Sequence, residues 1–136
     1  TSRGNAYFHK KQYDLVMTDY NRAIELDPKD VLAYNNRGYI YLDKEEYEKA
    51  VRDFNASLKY DPESWDSLLG LSLISLLTNK IGEAKTYFTR AEKLQPLLSK
   101  GMEGIEKLEK EDYFCSLKEK DALKKLFKTL DYPKKK

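Results

Sequence analysis

YNNRGYIYLDKEEYEKAVRDFNASLKYDP, running from Tyr34 to Pro62, holds two apolar stripes on either side of a polar break. Tyr34, Gly38, Tyr41 and Leu42 recur at the spacing of one helix face, and Tyr47, Ala50, Val51, Phe54 and Leu58 do so again. Asp43-Lys44-Glu45-Glu46 between them is polar and suits a short turn. Gly38 and Ala50 are small where two antiparallel helices would cross, which lets the backbones approach closely, with Tyr41, Tyr47 and Phe54 filling the space around the crossing. Pro62 stops the second helix and can open the next, because proline suits a first helical turn and not an interior.

The same pattern returns on both sides. Pro28, Pro62 and Pro96 stand 34 residues apart. Tyr13, Tyr47 and Ile81 keep that step, as do Val16, Ala50 and Ala84, and then Tyr20, Phe54 and Phe88. Arg3-Gly4-x-x-Tyr7 reappears as Arg37-Gly38-x-x-Tyr41. A fixed period of this length predicts stacked helical hairpins rather than one globular core.

A 34-residue helix–turn–helix with aromatic-x-x-Leu-Gly-x-x-Tyr, then Ala-x-x-x-Phe, then Pro, resembles the tetratricopeptide repeat. The resemblance covers residues 1–96: a partial first unit at 1–28, a second at 29–62 and a third at 63–96. The third departs from the pattern, with Ser72 where glycine is usual and Ser75 where tyrosine is usual. The expected fold is all-α, an α-α superhelix (solenoid) of about three such units, with residues 97–136 forming C-terminal capping helices and a basic tail.

In that tail Leu98, Met102, Ile105 and Leu108 form one amphipathic stripe, weakened or tightly packed at Gly101 and Gly104. Tyr113, Phe114 and Leu117 form a short apolar knot. Ser116-Leu117-Lys118-Glu119 fits a capping box for a last helix carrying Leu123, Leu126, Phe127 and Leu130 on one side and lysines on the rest. A solenoid needs such an end cap with a polar outer face. The alternative is that this segment docks onto a second copy or another protein. Leu68 to Leu77 is apolar nearly all round a helical wheel. Either neighbouring helices and the tail cover it, or one side stays open as a floor for a partner.

Chemistry-bearing motifs are absent from the sequence. It has no phosphate-cradling Gly-rich loop and no Gly-x-Ser-x-Gly elbow. His9 is the one histidine and Cys115 the one cysteine, too distant along stacked helices to form a nucleophile–base pair. One cysteine also rules out an intrachain disulfide framework. No metal site, catalytic residue or cofactor is expected. Asn55-Ala56-Ser57 matches a glycosylation sequon but falls within a helix. A net charge of +2 gives no general pull toward nucleic acid. The most apolar run is about half what a bilayer span requires, so membrane insertion is not expected. The abrupt start at Thr1 suggests a longer parent chain. The compartment is left unknown; the cytoplasm is favoured, and secreted or periplasmic placement stays open.

In the family resembled, the first helix of each unit lines a concave face that commonly binds peptides or protein segments. Matching positions place Asn5, Phe8 and His9 there from the first unit, Asn35, Asn36 and Tyr39 from the second, and Leu69 and Leu73 from the third. The same matching places Ser2, Leu32, Asp43, Asp66, Gly70 and Leu77 on that face as well. Chaperone-binding members hold a peptide carboxylate with two Lys, two Asn and an Arg. Here Asn5 and Asn36 stand at the Asn places, but Thr1, Asp66 and Gly70 stand where the cations belong. Carboxylate capture relies on charge-assisted bonds, so the clamp is expected to be broken. The resemblance therefore implies a non-catalytic protein–protein interaction module with an amide-lined entrance and an apolar floor, binding a protein or peptide partner. The alternatives are homo-oligomerisation through the third unit and C-terminal helices, or a scaffold piece of a larger protein whose activity lies elsewhere.

Overall fold

A computed structural model describes residues 10–111 and 116–132, with side chains described from residue 13 onward. Of the expected knot, Tyr113 and Phe114 lie outside the described residues, and Leu117 is 59% exposed. The described residues form helices α1 (Lys10–Leu26), α2 (Val31–Asp43), α3 (Tyr47–Tyr60), α4 (Trp65–Leu77) and α5 (Ile81–Leu94). A 3-10 turn (Pro96–Lys100), α6 (Met102–Lys110) and α7 (Leu117–Leu130) follow. The chain is an all-α superhelix. Hairpins α2–α3 and α4–α5 each pair a 13-residue helix with a 14-residue one, and corresponding helices begin 34 residues apart.

Local signals set the helix ends. Asp30 caps α2, its carboxylate accepting from the Ala33 N–H at 3.1 Å. Both hairpins turn through a left-handed residue at the same place, Glu45 and Asn79, each with φ of 63°. Asparagine adopts that conformation readily; glutamate does so at a cost.

Packing between hairpins centres on Phe54. A Cβ built on Gly38 would lie 2.8 Å from the Phe54 ring, and one on Gly70 only 2.4 Å from it. The ring is therefore wedged between α2 of its own hairpin and α4 of the next, and both helices need glycine at the contact. Tyr39 meets the same ring edge-on, with centroids 4.9 Å apart. Ser72, standing where the repeat pattern has glycine, donates its hydroxyl to the Ala84 carbonyl at 2.7 Å and so satisfies itself within the α4–α5 crossing.

Arg37 joins three helices on the other side of α2. Its guanidinium makes a bidentate bond to Asp53 of α3, both contacts 2.7 Å, and a third bond to Asn21 of α1 at 2.8 Å. Burial pushes the Asp53 carboxyl above its ordinary range, and the paired guanidinium pulls it back. One repeat later the same two positions hold Leu71, buried, and Tyr87, half-buried. An ion pair and an apolar pair thus fill equivalent places in adjacent hairpins. Tyr20, Met17, Ala33 and Ile40 seal α1 against α2.

The expected single stripe after Pro96 is broken. Gly101 takes φ 63° and ψ −140°, ending the 3-10 turn and redirecting the chain into α6. Gly104 allows α6 to fold back tightly, since a Cβ there would collide with the Leu97 carbonyl. Leu98, Ile105 and Leu108 are still buried in the main core.

Helix α7 returns to the repeats. Ser116 accepts from the Glu119 N–H at 3.1 Å, which supplies the expected N-cap, and donates to Asp43 Oδ1 at 3.0 Å. Lys118 reaches the Asp43 carbonyl at 2.8 Å. At the far end Phe127 and Tyr132 meet Phe88 edge-on, and the Tyr132 hydroxyl donates to Glu92 at 3.0 Å. Helix α7 therefore runs from the α2–α3 turn to the C-terminal half of α5, and Leu123, Leu126 and Phe127 join the cluster that holds the apolar residues of α4.

Two outcomes follow from this packing. Gly70→Ala should destabilise the chain by about 2 kcal/mol in urea unfolding, because overpacking against the Phe54 ring outweighs the ~1 kcal/mol that alanine ordinarily gains in a helix. Gly82→Ala, where an added Cβ meets nothing within 4 Å, should stabilise by about 0.5–1 kcal/mol. Equal effects at the two sites would contradict the wedge. The Tyr132 hydroxyl is pushed up to about 12, by burial first and then by its bond to Glu92. Its folded value exceeds its unfolded one, so its stabilisation is complete below about pH 10 and is lost as the pH rises toward 12. Thermal melts should fall more steeply over that window for the wild type than for Tyr132→Phe.

Candidate partner-binding face

The positions of α2 and α4 expected on the concave face can be followed residue by residue. Asn35, Asn36, Tyr39, Leu69 and Leu73 are 5%, 6%, 1%, 0% and 1% exposed. Asn5, Phe8 and His9 lie outside the described residues. Of the other positions expected there, Leu32 is 58% exposed and Leu77 36%.

The buried amide of Asn35 is used within the chain. Its Nδ2 donates to the Asp66 carboxylate at 2.8 Å, and its Oδ1 accepts from the Ser67 hydroxyl at 2.8 Å. Ser67 also shares hydroxyl hydrogen bonds with Ser57 at 2.8 Å and Ser64 at 2.9 Å. Tyr39 donates to the backbone carbonyl of Asp66. These bonds stitch the middle of α2 to the first turn of α4, and burial makes each one costly to leave unmade. The expected amide-lined entrance is, at Asn35, a seam between repeats. Gly70, expected on the concave face, instead contacts the Phe54 ring.

The apolar floor has a cover. Every residue from Ser67 to Leu76 is buried, and the apolar face of α7 belongs to the same cluster. Of the two readings open for this helix, enclosure by its neighbours and the C-terminal segment is the one found. Polar ties hold α7 at its start, where Lys118 reaches Glu45 at 3.7 Å as well as the Asp43 carbonyl, and Lys120 pairs with Glu109 of α6 at 2.9 Å.

The cover fits imperfectly at one place. A cleft of about 210 Å³ opens between the ends of α2 and α4 and the side of α7. Leu42, Tyr47, Leu77 and Ala122 line it, and Glu45, Lys118, Asp121 and Lys125 stand around it. Burial, and then Glu45, raises the Tyr47 phenol above its ordinary value. Sequence reasoning did not assign Leu42, Tyr47 and Ala122 to this face. Leu42 and Tyr47 were assigned to hairpin packing, and nothing in the period could indicate that α7 lies across them.

Among the described residues no group of three or more His, Cys, Asp or Glu could hold a metal ion. Among the same residues no helix is long and apolar enough to cross a membrane. The face thus offers apolar surface, carboxylates at the α2–α3 turn and a cleft.

Comparison with known families agrees with this architecture. A family model described as TPR repeat matches residues 4–44, and one described as Tetratricopeptide repeat matches residues 31–64. No curated protein matches the chain. Tetratricopeptide repeats are generally protein–protein interaction modules and typically non-catalytic. Two overlapping family matches over residues 4–64, together with hairpins that repeat every 34 residues, identify tetratricopeptide repeats in this chain.

Proposed function

We propose that this chain is a non-catalytic module that holds a segment of another protein on the concave side of α2 and α4, without a carboxylate clamp. The observation that carries the proposal is the contact of α7 with α4 and with the α2–α3 turn, where an amphipathic helix is seated by apolar side chains and by a lysine. A surface that accepts one such helix has the shape and chemistry to accept another. In this reading Asn35, Asn36, Tyr39, Leu69 and Leu73 fix the shape of the wall from beneath, and Leu42, Leu77 and the acidic turn meet the partner. Asn5, Phe8 and His9 would continue the wall through the first unit.

Two details argue against an acidic-tail ligand. Asp66 stands where the clamp needs a cation and already accepts from Asn35 at 2.8 Å. Gly70 stands at the arginine place, with the Phe54 ring too close for any side chain. Self-association through an exposed third unit is less well supported, because α4 is enclosed by its own chain from Ser67 to Leu76.

Two labelled peptides test this by fluorescence anisotropy against the full chain: a basic amphipathic helix, and an acidic segment with a free C-terminal carboxylate. The basic helix should bind, and should bind severalfold more tightly to the Lys118→Ala/Tyr132→Phe double variant, whose α7 competes less well. The acidic segment should show no micromolar affinity; the reverse order of affinities would contradict the proposal.

A further inference from the structure

We infer that the cleft beside Ala122 is an anchor pocket, and that the partner is a basic amphipathic helix which carries a bulky aliphatic or aromatic side chain where α7 carries alanine and which binds by displacing α7. The inference rests on the concave-face reading above and adds the identity of the anchor.

The buried face of α7 carries Glu119, Ala122, Leu123, Leu126 and Phe127, of which Ala122 is the smallest. Leu123, Leu126 and Phe127 are buried in the core cluster. Ala122, 6% exposed in the same cluster, also borders the cleft of about 210 Å³, with Leu42, Tyr47 and Leu77 on the other walls. Leu77 is left 36% exposed beside an otherwise sealed face. An unfilled apolar space forfeits the contacts its lining atoms would make. A helix that fills it gains those contacts and keeps the others. The surrounding charge fixes the rest of the partner. Lys118 of α7 sits against the Asp43 carbonyl and the Glu45 carboxylate, so a competing helix needs a cation at the same place. Because α7 is covalently part of the chain it has a high effective concentration at the face, so it stays seated until a better-filling helix arrives.

The test uses the full chain. Ala122→Leu should raise the Tm by about 3–5 °C, since the new side chain enters existing space; a fall in Tm overturns the pocket. Two labelled peptides of the 116–132 sequence, one with Ala and one with Leu at position 122, are then titrated into the chain. The Leu peptide should bind roughly tenfold more tightly. A disulfide between Asp43→Cys and Ser116→Cys, in a Cys115→Ser background, should hold α7 in place and abolish binding until it is reduced. Equal affinities for the two peptides, with an effective lock, overturn the anchor alone. Binding that survives the lock puts the contact elsewhere and overturns the concave-face reading as well. No binding of either peptide to the unlocked chain overturns displacement.

Discussion

The Phe54 ring fixes the distance between successive hairpins. It occupies space that neither Gly38 nor Gly70 could share with a methyl group, so α2 and α4 are held at one separation. The seam above it depends on that separation. Asn35 can reach Asp66 and Ser67, and Tyr39 the Asp66 carbonyl, because the wedge brings the middle of α2 over the first turn of α4. With Ser72 at the position of Gly38, the equivalent ring one repeat on is Phe88. It meets Phe127 and Tyr132, ring against ring, with centroids 5.7 and 4.7 Å away. There the stack ends, and the chain has turned back to supply its own last layer.

A solenoid of few repeats has few interfaces over which to spread its stability. This one joins its hairpins in two ways. Around α2 a bidentate ion pair reaches α1 and α3 through Arg37, Asn21 and Asp53. Around α4 the same positions are apolar, Leu71 and Tyr87, and the helix is enclosed almost completely. The shift from polar to apolar joints runs toward the end that α7 covers. There burial by the added helix takes the place of the charge pairing around α2.

The repeat was legible because its signals are local and periodic. Pro28 and Pro62 follow helix ends and Pro96 opens the 3-10 turn, while Gly38 marks a close crossing and Ser116 caps a helix. What covers a face is not periodic. The sequence assigned Gly70 to a ligand-facing place by family position, yet the ring it touches lies 16 residues away on another helix. Asn35 read as a free amide because its partners, Asp66 and Ser67, are a repeat away. Gly101 read as a weak spot in one helix, whereas its positive φ divides two elements. Arg37 carried an overlooked signal: an arginine recurs at positions 3 and 37, where the repeat pattern has leucine, and an acid waits at Asp53.

The central claim is that the repeats form one body and α7 a separate element seated on α4 and the α2–α3 turn. Native-state hydrogen exchange of the full chain tests it most directly. The account predicts that amides of residues 117–130 exchange through a local opening, at lower free energy than those of α4, and that mild denaturant barely changes their rate. Exchange of α7 and α4 together, with the same denaturant dependence as global unfolding, would contradict it.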